Sequence, residues 1–111
     1  MKYRVVVTDT VRALIREQAS YIAHHEELPQ RAAEWLVAVI DAAESLATRP
    51  RRFGFAEEHG ARPYEIRRIV VGGCLLLFSV ADESRIVFVI GFRHGRQRPK
   101  VGRLPTILPE R

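Results

Sequence analysis

The chain has 111 residues, 47% of them apolar and 28% charged, and a formal net charge of +5. That is one domain with enough apolar content for a single core, which excludes a disordered chain. The longest apolar run, Ile69–Phe78, contains two glycines and is too short to span a bilayer. The single cysteine, Cys74, excludes an internal disulfide and a Cys-based metal site, and its place in a strand pattern predicts a buried, inert thiol. The start, MKYRVVVTDT, has neither a long apolar stretch nor a small-residue cleavage site. The expectation is a cytoplasmic protein with no membrane partner, no metal and no cofactor.

The charge is uneven. Residues 1–50 balance to −1, whereas residues 51–111 carry +6. Sixteen of the eighteen cations are arginine, a side chain suited to bidentate contact with phosphate or carboxylate. A basic half predicts a polyanionic partner, either nucleic acid or an acidic protein segment.

In chain order, Lys2–Val7 reads as a short strand and Thr8, Asp9 and Thr10 as helix caps. Val11, Leu14, Ile15, Ala19, Ile22 and Ala23 follow at helical spacing, and His24-His25-Glu26-Glu27 ends the pattern. Pro29 suits the first turn of a second helix. Ala32, Leu36, Val39, Ile40, Ala43, Leu46 and Ala47 carry that helix to about Thr48, and Pro50 stops it. The short link between the two predicts an antiparallel helical hairpin. Arg49–Pro63 is a loop rich in glycine, proline and charge. Three apolar runs then follow: Tyr64–Val71, Cys74–Ala81 and Arg85–Phe92. Gly72-Gly73 suits a tight type I′ hairpin turn and Asp82-Glu83-Ser84 a second polar turn, which predicts an antiparallel meander. Lys100–Arg111 is a tail without period, its Leu104, Ile107 and Leu108 forming an apolar patch. The order is β-α-α-β-β-β, an α+β fold with a helical hairpin on one face of an antiparallel sheet. Residues 1–99 form the domain and residues 100–111 the tail.

Chemistry concentrates where the last strand runs out, in Arg93-His94-Gly95-Arg96-Gln97-Arg98. His94 is a general acid/base candidate, with Arg93, Arg96 and Arg67 to hold a phosphate and Glu57, Glu58 or Glu65 as a companion base. The alternative for His94, preferred because no companion base is evident, is a polar strand cap or a partner contact. Arg67 and Arg68 are adjacent in a strand and point to opposite faces. Arg51 and Arg52 are loop cations, either solvated or in contact with a partner. His24-His25 lacks further ligands at metal spacing, and His59 stands alone in the loop. Trp35 and Tyr21 lie near the helical stripes and read as packing.

The element order, with Tyr3-Arg4-Val5, Ala32-Ala33-Glu34-Trp35-Leu36, Leu46-Ala47-Thr48-Arg49-Pro50-Arg51-Arg52, Glu65–Gly72 and Phe92-Arg93-His94-Gly95-Arg96-Gln97-Arg98-Pro99, resembles the RelE/ParE toxin superfamily of bacterial type II toxin–antitoxin modules. The resemblance runs from about Tyr3 to Pro99, and the ending looks like the R-H-G-x-R-x-P close of ParE-like members. It implies a toxin neutralised by an acidic, partly disordered antitoxin, with DNA gyrase or ribosome-bound mRNA as target and operator DNA reached only through the antitoxin. Arg51, Arg52, Arg67, Arg93, His94, Arg96 and Arg98 are the implied antitoxin- or target-binding residues. Where family members usually carry Tyr-Arg after the glycine turn and Tyr-Arg again further on, this chain has Cys74-Leu75 and Phe78-Ser79. The ribosome-dependent nucleases of the superfamily rely on cations across that sheet face. The expectation is therefore gyrase inhibition. The alternatives are an mRNA endonuclease using His94, Arg93, Arg96 and Arg67, and a degenerate, non-toxic basic binding module.

Overall fold

Strand β1 (Arg4–Val7) leads into helix α1 (Asp9–His25), helix α2 (Pro29–Ser45) and the strands β2 (Arg67–Val71), β3 (Cys74–Ala81) and β4 (Ile86–His94). The computed structural model describes residues 2–25 and 29–109. Glu26 and Glu27 of the expected interhelical link, and the last two residues of the tail, lie outside the described residues. Short 3₁₀ turns at Pro50–Arg52 and Val101–Arg103 complete the chain.

The strands form one sheet in the order β1-β4-β3-β2. The meander β2-β3-β4 is antiparallel, as its turns dictate. Gly72 and Gly73 both have positive φ, 54° and 79°, as the two-residue turn requires. β1 joins the far side of β4 in parallel, with Val5 beside Val87. The sheet is therefore mixed rather than wholly antiparallel, because the helical hairpin carries the chain back across one face before the meander begins.

Helix α1 starts where expected: Thr8 Oγ1 accepts the Val11 N–H at 3.4 Å. Its Val11 and Val39 of α2 are buried against Leu76, Phe78, Val87 and Val89 on one face of the sheet. Trp35 joins this layer edge-on to Phe92, with ring centroids 5.9 Å apart. Tyr21, expected to pack, is instead 54% exposed and stacks on His25. Its position lies just off the face that holds Ile22.

The opposite face is not left to solvent. Leu75, Leu77, Ile86, Phe88 and Ile90 are covered by Ala56 and Ile66 of the loop and by Leu104 of the tail. Tyr64–Ile66, expected at the start of the second strand, fold over this face: Ile66 O accepts from Ala56 N, and Ile66 N donates to His59 Nδ1. At the other end β4 continues to His94, which pairs with Cys74. A bulge where the register shifts from Phe78–Val89 to Leu77–Gly91 leaves Ile90 as an extra residue. Gly91 then meets the tail, since a Cβ there would stand 2.9 Å from both Leu104 Cδ2 and Leu77 Cδ1.

Candidate functional site

The cationic strand end divides between the two faces of the sheet. Arg93 is only 6% exposed and Glu58 3%. Arg93 Nε donates to Glu58 Oε2 at 2.7 Å, and Nη2 reaches Glu58 Oε1 and Glu57 Oε1, each at 3.4 Å. Nη1 donates to Gln97 O at 3.0 Å, closing the turn after β4. The bond that Arg93 donates to Glu58 raises the already high pKa of this guanidinium against the cost of burial. Arg93 thus ties the loop to the last strand, and its donors face inward.

His94, the next residue, points the other way, as strand alternation demands. It lines a cavity with Trp35 and Gly72, away from Glu57 and Glu58. Its backbone N–H donates to Gln97 Oε1 at 2.9 Å, and Nδ1 accepts from Arg96 N at 3.5 Å. The third candidate base, Glu65, is held by Arg51 at 3.0 Å and Arg67 at 3.5 Å. The structure therefore separates His94 from all three carboxylates considered for it.

The remaining arginines sort by what they hold. Arg51 binds Asp82 through two parallel bonds of 2.8 and 2.9 Å, and Tyr3 Oη donates to the same carboxylate at 3.1 Å. These bonds hold the Asp82 pKa below its ordinary value and raise that of Arg51. Arg52 donates to the carbonyls of Ser45, Thr48 and Arg49, placing a cation on the carbonyl end of α2. Arg67 donates to Phe53 O at 2.6 Å and lies over the Phe55 ring at 4.3 Å. Arg68, on the other face of that strand, donates to Phe55 O at 2.6 Å. Arg51, Arg67 and Arg68 therefore brace residues 51–55 against the sheet, while Arg52 closes the turn after α2. Arg96, Arg98, Lys100 and Arg103 are exposed.

Leu75 and Ser79 stand on the face covered by loop and tail. Leu75 belongs to that apolar layer, and Ser79 pairs with Phe88 of the same layer. Ser79 Oγ is buried without a hydrogen-bond partner among the described residues. Sequence reasoning missed the fastening of this layer. Arg62 Nη2 donates to Val101 O at 2.9 Å, Arg62 Nε to Pro105 O at 3.2 Å, and Tyr64 Oη to Pro105 O at 2.6 Å. An isolated loop arginine carries no sequence signal for such a role.

A family model described as "ParE toxin of type II toxin-antitoxin system, parDE" matches residues 5–99. The chain belongs to the ParE toxin family. The match takes in both helices, all of the meander and the cationic strand end. Among solved structures, the chain is similar to one in the toxin–antitoxin complex RelBE2 from Mycobacterium tuberculosis, with 25% identity and a TM-score of 0.56. That similarity covers 85% of this chain and 92% of the other. No curated protein matches. Among the described residues, no helix of this ParE-family toxin is long and apolar enough to cross a membrane.

Proposed function

We propose that this ParE-family toxin inhibits DNA gyrase without hydrolysing nucleic acid, and that an acidic antitoxin neutralises it in the cytoplasm. The observation that carries the choice is the sheet face opposite the helices. A nuclease of the superfamily would need cations there, whereas Leu75, Leu77, Phe88 and Ile90 fill it and Leu104 and Ile66 cover it. The one arginine in β4 is bound to Glu58. The loop carboxylates considered for His94 stand elsewhere, and the acidic residue that lines its cavity is Glu34 of α2.

The antitoxin seat we favour is the groove between the helical hairpin and the β1 edge. Val7, Ile15, Leu36 and Ile40 line a cavity of about 320 Å³, with Arg12 and Arg16 beside them. Apolar anchors flanked by arginines suit an acidic segment that folds on binding, since surface ion pairs alone contribute little. The tail packs on the opposite face, so Leu104 and Leu108 do not extend this groove.

Two assays on purified toxin test the reading. Gyrase supercoiling should fall with added toxin and recover with antitoxin, while mRNA on translating ribosomes stays uncut. Ribosome-dependent cleavage that disappears on His94→Ala or Arg96→Ala would overturn the gyrase assignment in favour of the endonuclease. Normal bacterial growth at verified soluble expression would favour the non-toxic binding module.

A further inference from the structure

The cations that follow β4 differ from the other arginines of the chain. Arg96, Arg98, Lys100 and Arg103 are exposed, and their side chains make no hydrogen bond or ion pair among the described residues. Arg51, Arg52, Arg62, Arg67 and Arg93 are instead bound to carboxylates or carbonyls of the chain itself. Ser84–Pro109 contains no Asp or Glu. Glu57 and Glu58, which reach this end from the loop, are both held by Arg93. Thr10 of α1 shares a small cavity with Lys100 and Arg103, which brings Asp9 to the same end. Arg93, Arg96, Arg98, Lys100 and Arg103 still outnumber Asp9, Glu57 and Glu58.

The segment that carries these charges is fixed. Gly95 N donates to Gly73 O at 2.9 Å, and Arg93 Nη1 to Gln97 O at 3.0 Å. Arg62 Nη2 donates to Val101 O at 2.9 Å, and Arg103 N closes its turn on Lys100 O at 3.0 Å. Leu104 is buried against Gly91. Gln97, Lys100 and Arg103 meet at the same small cavity, so residues 97–103 make one patch rather than a trailing arm. Cations on a fixed backbone lose less entropy on binding than cations on a loose tail.

Four cations without internal partners suit a row of phosphates. From Arg93 to Pro109 there is no Phe, Trp or Tyr, so the patch lacks the stacking platforms that hold single strands. Its one helical piece is the three-residue turn Val101–Arg103, too short to lie in a major groove and read bases. Ile107 is exposed, but one such side chain is too little apolar surface for a membrane anchor. We propose that this face binds the phosphate backbone of duplex DNA without reading its sequence. The choice of DNA over duplex RNA rests on the gyrase reading above. Gyrase works on a DNA duplex, and the toxin grips that duplex while it engages the enzyme.

The toxin is titrated into a fluorescently labelled DNA duplex, without gyrase, over a series of salt concentrations. Affinity should be independent of sequence. Its logarithm should fall against that of the salt concentration with a slope of about −3 to −4, about −0.9 for each phosphate neutralised. Arg96→Ala/Arg98→Ala should weaken binding roughly tenfold at low salt and reduce the slope by about 2. Lys2→Ala/Arg4→Ala removes the same charge from the far end of β4, where Arg4 pairs with Ile86, and should change neither quantity. Equal losses in the two double variants would reduce the effect to net charge and overturn the assignment. Tighter binding to a single strand or to duplex RNA would also overturn it, and retention on anionic phospholipid vesicles without DNA binding would replace it with a membrane surface. Supercoiling assays keep the two readings apart. A toxin that inhibits gyrase but leaves free DNA unbound overturns this inference and spares the gyrase reading. A toxin that binds DNA but leaves supercoiling untouched overturns the gyrase reading and spares this face.

Discussion

With Arg93 at 6% and Glu58 at 3% exposure, their ion pair is sealed, and removing either partner strands a charge in the interior. Such losses cost about 3–5 kcal/mol, whereas replacing both partners by apolar side chains of similar volume is often neutral. Glu58→Ala should therefore destabilise the toxin by about that amount in urea unfolding, and Glu58→Leu/Arg93→Met should recover most of it. If the single variant costs under about 1 kcal/mol, the pair is not buried as described. The Arg51–Asp82 pair is a surface counterpart, with Asp82 59% exposed, and its signature is pH rather than magnitude. Folding holds the Asp82 pKa down, chiefly through Arg51. Its contribution is therefore complete above the unfolded pKa, about 4, and is lost as pH falls through the lower folded value. Melting curves of wild type and Asp82→Asn should differ slightly at neutral pH and converge in acid. A constant offset down to pH of about 2 would mean that ionisation of Asp82 contributes nothing.

At the scale of elements, the sequence was clearest where periodicity was strong. The caps, both helices, the glycine turn and the three strands of the meander follow from spacing and turn chemistry alone. The parallel docking of β1 did not, because a four-residue strand can pair on either side of a hairpin. The second covering layer was illegible for another reason. It is made of single side chains, Ala56, Ile66 and Leu104, drawn from segments that read as loop and tail. Their backbone is held by side-chain bonds from Arg62 and Tyr64 rather than by a ladder. The paired candidates Arg93 and His94 illustrate the same limit: adjacency in sequence placed them on opposite faces, one sealed and one in a cavity. Two variants test the layer. Arg62→Ala should cost about 1–3 kcal/mol and speed amide exchange at residues 101–105 while the helices stay protected. Gly91→Ala should cost a similar amount, about 1–3 kcal/mol, because Leu104 and Leu77 must move to admit a Cβ. Unchanged exchange in the tail of Arg62→Ala would mean that Leu104 alone anchors it.

Across the whole molecule, much of the basic excess is spent internally. Arg51, Arg52, Arg62, Arg67 and Arg93 all bind carboxylates or carbonyls of the chain itself. What faces outward is concentrated after β4: Ser84–Pro109 contains no Asp or Glu, and Arg96, Arg98, Lys100 and Arg103 are exposed. An acidic antitoxin that reaches this end would gain affinity through exposed charges, which salt screens over about 8–10 Å at ordinary ionic strength. Apolar anchors in the groove proposed for it beside β1 would not be screened. Affinity should therefore fall with added salt to a plateau rather than to zero. Arg96→Ala/Arg98→Ala should weaken the complex at low salt, flatten the salt dependence and leave the melting temperature of the free toxin within about 1–2 °C, since exposed substitutions change stability little. Arg93→Ala is the contrasting variant, expected to lower the melting temperature first and affinity only as a consequence. Calorimetry across a salt series separates the two. An unchanged salt slope in the double variant would remove the cationic strand end from the antitoxin surface and leave it facing the target.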